Sequence, residues 1–207
     1  LTTVDGLIAE KLAELDAAGL SDDTIVFVYA DHGSGMPRHK RWTYQSGLAV
    51  PMIVHVPERY RHLAPADYEA GGTTDRLVGF VALAPTALSL EGVLPPAHMQ
   101  GHAFMGSYEA PPPFYAFGFR DRMDERIDMV RCVRDERYLY VRNYMPHRPW
   151  GQYLNYMFQT PTTAVWKAAY DRGELNAVQA QFWEEKPPEE LYDLESDPHE
   201  VRNLAGD

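Results

Sequence analysis

The sequence predicts an α/β protein: part of a sheet flanked by helices, followed by a small C-terminal α+β subdomain with an antiparallel sheet. Three observations predict it. Residues 3–18 carry an amphipathic helical pattern that leads through a short polar turn into an apolar run, half of a βαβ repeat. A second apolar run at 52–56 is followed by a mostly apolar helical stretch at 77–92. Beyond a Pro- and Gly-rich stretch at 94–113, three short strand-like runs follow, the last two separated by a polar turn.

The elements follow in order. In residues 3–18, Val4, Leu7, Ile8, Leu12 and Leu15 recur at helical spacing, and Gly19 supplies a stop. Ser21, Asp22 and Asp23 form a turn. Residues 25–30 are β-branched or aromatic for the most part, the pattern of a strand buried on both faces as in a parallel sheet. That run ends at Asp31, His32 and Gly33, an acid and an imidazole at the carboxyl end of a strand, where open α/β sheets place ligands. Both residue types suit a divalent cation.

A basic cluster follows: Arg38, His39, Lys40 and Arg41. In an acidic chain this local reversal of sign reads either as a solvated loop or as an anion site. His55 lies within the second strand and reads as structural. Pro85 fits a first-turn or kink position of the 77–92 helix, and Gly92 ends it. The stretch at 94–113 marks the boundary between a first domain, 1–110, and a smaller one, 111–207. There, 114–119, 127–134 and 138–144 read as strands, with a hairpin turn at 134–137. Cys132 alternates with apolar neighbours and reads as core. The aromatic run at 146–161 reads as packing over a small sheet or as a sugar-facing loop. Helices are expected at 162–172 and 174–185, broken at Gly173, and a short strand at 190–194. The charged segment 119–126 offers Arg120 as a contact for an anionic substrate, or else a salt-bridged loop.

Composition limits the rest. Apolar content of 45% supports a core. A net charge of −11 argues against nucleic acid as a partner. One cysteine excludes an internal disulfide. No run approaches the roughly 18–20 apolar residues needed to span a bilayer. The chain starts at Leu1 with no basic-then-apolar leader, as expected of a processed chain or a fragment.

Four segments together resemble the type I sulfatases of the alkaline-phosphatase-like superfamily. Residues 23–33 resemble the family's D-N-T-hydrophobic-S-D-H-G strand, and residues 40–51 resemble G-K-x-x-x-Y-E-G-G-I-R-V-P. Residues 83–92 resemble L-A-P-T-L-L-D-L-A-G. Residues 190–205 resemble E-L-Y-D-L-x-x-D-P-x-E-x-x-N-L-A. The resemblance implies an alkaline-phosphatase-like sheet and sulfuric ester hydrolysis. It implies Asp31 and His32 as ligands of Ca2+ or Mg2+, and Lys40 as the catalytic contact to the sulfate and its bridging oxygen. His39 and Arg41 are candidate substrate contacts beside Lys40. The implied partner is a sulfated small molecule or glycan, and the implied compartment is periplasmic or secreted. Gln45, Ser46 and Ala49 depart from the family pattern.

The family's nucleophile, a formylglycine made within C-x-P-x-R or its serine variant, has no match here. Cys132 is followed by Val133 and Arg134, and Pro37 falls one place late after Ser34. The resemblance therefore implies a C-terminal portion whose N-terminal half carries the formylglycine, and which is inactive alone. A metal-dependent phosphoesterase or phosphonate hydrolase of the same superfamily, or a non-catalytic sulfatase-like binding module, remains open at this point.

Overall fold

The computed structural model describes residues 2–122 and 125–206. It divides into two compact units, one of residues 1–29 and 52–112, the other of residues 30–51 and 113–207.

The first unit begins with α1 (Thr2–Ala17), predicted by the apolar spacing. Its last turn closes on Gly19, with the Leu20 amide bonded to the Leu15 carbonyl and the Gly19 amide to Asp16. Gly19 adopts φ +68, which costs a residue without Cβ little. None of the residues of α1 is buried, and Val4, Leu7 and Leu12 of its apolar stripe are exposed. A 3-10 turn (Ser21–Asp23) leads into β1 (Val26–Tyr29). The apolar run predicted a strand correctly, but its direction differs from expectation. β1 pairs antiparallel with β2 (Met52–His55), Val26 opposite His55 and Tyr29 opposite Met52. β-branched and aromatic residues favour a pleated backbone of either direction, so the run encodes a strand and not its partner's sense. Alternate residues of β2 are exposed, Ile53 and His55 among them. A core of Val56, Ala82, Phe104 and Met105 gathers Phe27, Val54 and Leu83 around it. The helical stretch at 77–92 is shorter than predicted. A 3-10 turn (Phe80–Ala82) precedes α3 (Leu83–Leu90), and Pro85 sits in the first turn of α3, where no amide hydrogen is required.

The second unit takes in residues 30–51, including the short α2 (Gln45–Leu48). Its sheet is antiparallel throughout, in the order β3 (Ala116–Arg120), β4 (Val130–Arg134), β5 (Tyr138–Asn143), β6 (Glu189–Asp193). The predicted hairpin joins β4 to β5: Asp135 Oδ1 accepts from the amides of Arg137 and Tyr138. One face of the sheet carries Val130, Cys132, Leu139, Val141 and Tyr192 into the core, with Trp42, Tyr44, Trp150 and Phe182 packed on them. β3 inverts the usual pattern. Phe117 and Phe119 are 81% and 73% exposed, while Gly118 and Arg120 face inward with Cys132 and Val130.

α4 (Asn155–Phe158) and α5 (Pro161–Asp171) follow the aromatic segment. The predicted helix at 174–185 is instead α6 (Ala177–Ala180) running into a 3-10 turn (Gln181–Trp183). A capping box between Asn176 and Gln179 starts the helix late. The tighter turn lets the consecutive Phe182 and Trp183 both enter the core, where Trp166 stacks on Phe182 with centroids 4.9 Å apart.

Candidate active-site loop

The chain leaves β1 at Ala30, and residues 31–44 form a loop closed on itself and on the first turn of α2. The Lys40 amide bonds to the Ser34 carbonyl at 3.0 Å and the Trp42 amide to the His39 carbonyl at 3.1 Å. The Ser46 hydroxyl donates to the Arg38 carbonyl at 2.8 Å. Close packing demands glycine at the crossing: a Cβ on Gly47 would lie 2.2 Å from the Trp42 carbonyl oxygen and 2.3 Å from that of His39.

At the start of the loop, Asp31 Oδ1 lies 3.5 Å from His32 Nε2. That spacing suits two neighbouring ligands on one ion with oxygen bonds of roughly 2.3–2.6 Å. Asp31 is 84% exposed, and the His32 Nδ1 hydrogen-bonds the Gly33 carbonyl at 2.7 Å, which orients its Nε2 outward from that contact. The pair fits a divalent ion as part of a ligand set. No cluster of three or more His, Cys, Asp or Glu with metal-binding geometry occurs among the described residues.

At the far end of the loop, Lys40 and Arg41 share one aromatic ring. The Lys40 Nζ lies 5.2 Å and the Arg41 guanidinium 4.5 Å from the centre of Tyr156, itself half exposed. The ring of Tyr156, within the aromatic run, is thus engaged by two cations. His39 is bound differently: its Nδ1 pairs with the Ser34 hydroxyl at 2.7 Å. Burial, reinforced by the charge of Arg38, holds its pKa below the usual value, which favours a neutral ring over a third cation.

Arg120 lies inside the unit, with its side chain 1% exposed, and does not reach an open surface. Its Nη1 donates to the Arg41 carbonyl at 2.8 Å, its Nε lies 3.7 Å from Asp128, and its guanidinium rests over Trp42. Asp128 also accepts from the buried Lys186. The physical reason is strand parity. Arg120 shares the inward face of β3, where a buried charge needs partners.

The base of the loop is fastened by the C-terminal segment. The Arg38 guanidinium donates to the carbonyls of His199 and Glu200, each at 3.0 Å, and lies 4.2 Å from the centre of Tyr44. The Gln45 amide donates to Glu200 Oε1 at 2.8 Å. Tyr44 donates to Glu190 Oε2 at 3.0 Å, and Tyr192 and Asn143 donate to the same carboxylate. Desolvation raises the pKa of Glu190 and, with its charge, raises those of Tyr44 and Tyr192. Among the described residues, the non-glycine residues at positive φ are Arg38, Arg41 and Glu200. Such conformations cost about 1–3 kcal/mol each and persist where surrounding contacts fix them. The sequence offers the segment 190–205 as a short strand at 190–194 and a family marker, with no role for the Glu190 and Glu200 side chains.

The sulfatase family profile matches residues 1–93, which include Asp31, His32 and Lys40. The whole chain aligns with an ulvan-active sulfatase of Formosa agariphila at 39% identity over 203 residues, covering 98% of this chain and 33% of the relative. Along its length the chain is thus similar to sulfatases. The chain is also 26% identical to the human N-sulphoglucosamine sulphohydrolase, covering 95% of the chain and 40% of that protein. It spans about a third of the length of the curated relatives it matches. Its fold superimposes on a protein solved in complex with its substrate D-glucosamine-2-N,6-O-disulfate, with a TM-score of 0.65 and 21% identity, covering 98% of the chain and 34% of that structure. The putative sulfatase yidJ of Bacteroides fragilis gives a TM-score of 0.62 at 20% identity, covering 99% and 36%. No helix among the described residues is long and apolar enough to cross a membrane.

Proposed function

We propose that this chain is the C-terminal portion of a sulfuric ester hydrolase acting on a sulfated carbohydrate. The observation that carries the reading is the single closed loop that bears the Asp31–His32 pair at one end and the Lys40–Arg41 pair at the other. Support for the substrate class comes from the relatives, an ulvan-active sulfatase and an N-sulphoglucosamine sulphohydrolase.

In this reading Asp31 and His32 contribute to holding Ca2+ or Mg2+, with further ligands from residues outside the chain. An ion held by them would supply positive charge to an anionic substrate. Lys40 places its ammonium at the bridging oxygen, where negative charge grows as the S–O bond breaks. Arg41 adds a second cation on the same ring. Neutral His39 keeps its Ser34 partner and serves the loop. Arg120 holds the Arg41 backbone through its carbonyl and touches no substrate itself. The nucleophile, a formylglycine in this reading, belongs to residues outside the chain, so the 207 residues alone are inactive.

The test is turnover of a chromogenic aryl sulfate and a sulfated polysaccharide by the intact protein. Lys40→Ala is expected to lower kcat/KM by about 100-fold or more. An unchanged rate in that variant, or hydrolysis of the matching phosphate ester in preference to the sulfate, overturns the assignment.

A further inference from the structure

We infer that Glu200 and Arg38 are positioning residues, a latch by which the C-terminal segment holds the Lys40 loop in working geometry. The inference rests on the sulfatase reading for its kinetic consequence and on geometry for the latch itself.

Two fastenings sit side by side. The Gln45 amide, at the end of the loop, donates to the Glu200 side chain. The Arg38 side chain, two residues before Lys40, donates to the backbone of His199 and Glu200. Between them the loop spans only Arg38 to Gln45, and it carries both cations. Glu200 is 2% exposed, so its carboxyl is not a surface contact that solvent replaces cheaply. The segment is itself braced: Asp197 Oδ2 accepts from the amides of Val201 and Arg202, which forms the turn that brings Glu200 inward.

Backbone conformation points the same way. Arg38, Arg41 and Glu200 all adopt positive φ, and each lies at a fastening point: Arg38 and Glu200 to each other, Arg41 through its carbonyl to Arg120. A loop held in such conformations returns to ordinary ones once its fastenings are cut. Lys40 then loses its fixed place, and misplacement of a charged group by about 1 Å is enough to lower a rate about 100-fold.

The experiment compares Glu200→Ala, Arg38→Met and Glu200→Gln in the intact protein. Glutamine keeps the acceptor for the Gln45 amide and is expected to leave kcat unchanged and cleavage after Lys40 and Arg41 no faster than in wild type. The other two are expected to speed tryptic cleavage after Lys40 and Arg41 about tenfold, relative to cleavage after the exposed Arg172, and to lower kcat about 100-fold with KM changed less. Cleavage rates after Lys40 and Arg41 that match wild type in both Glu200→Ala and Arg38→Met overturn the latch. Faster cleavage with an unchanged kcat overturns the positioning role. An intact wild-type protein that hydrolyses no sulfate ester removes the sulfatase reading instead, and the cleavage rates, which need no turnover, still decide the latch.

Discussion

The phenol of Tyr44 donates to Glu190 Oε2 at 3.0 Å, and both groups are buried. Tyr44 stands at the base of the Lys40 loop, and Glu190 lies in β6 near the end of the chain. The pair joins the basic loop to the sheet from inside. Tyr44→Phe keeps the ring under Arg38 but leaves the carboxylate with Tyr192 and Asn143 alone. The expected loss is about 1–3 kcal/mol, because a buried acceptor gives up one of its donors. Urea unfolding at neutral pH measures it, and an unchanged midpoint contradicts the role given to this bond.

The Asp128 carboxylate is shared by Lys186 and Arg120, and all three side chains are buried. Burial lowers the pKa of Lys186, and the hydrogen bond to Asp128 opposes that fall. The group holds two cations and one anion. Asp128→Asn leaves two cations without their shared carboxylate and is expected to cost about 3–5 kcal/mol. Lys186→Met leaves Asp128 facing Arg120 in a balanced pair and is expected to cost less. Thermal melts of the two variants give the order, and a larger loss in Lys186→Met refutes this account of the cluster.

Helix α1, the β4–β5 hairpin and β6 were legible in the sequence because periodicity and turn chemistry are local signals. The sense of β1 was not, since Ile25 to Ala30 suits either direction. The placement of Arg120 was hidden by its neighbours. Phe117 and Phe119 mark the apolar face of β3, yet that face is exposed, so parity read from hydrophobicity assigns Arg120 to the surface. For the loop, Asp31, His32 and Lys40 came from a motif. The partners that hold it, Glu190 and Glu200, lie about 150 residues away, and no local pattern links them to Tyr44 and Gln45. The departure at Gln45 and Ser46 falls on the loop's fastenings, the Gln45 amide and the Ser46 hydroxyl, and only the former is independent of side-chain type.

Glu200 gives a prediction in pH. Burial raises its pKa from 4.5 to about 7, against the lowering effects of the Gln45 amide and the Arg38 guanidinium; Glu190 and Asp197 add to the rise, and the Cys132 thiol also faces it. The folded state therefore favours the protonated acid more than the unfolded chain does. Below pH 4.5 both states are protonated and the full stability is present. As pH rises from 4.5 through 7, the unfolded chain ionises first and stability falls. A rise of that size corresponds to about 3 kcal/mol. Glu200→Gln mimics the protonated acid and cannot ionise. The difference in unfolding free energy between this variant and wild type is therefore expected to shift in favour of the variant between pH 5 and pH 8, with the other titrating groups cancelling in the comparison. Urea unfolding of both proteins across that range measures it. A constant difference, or one that moves toward wild type as pH rises, contradicts the raised pKa of Glu200.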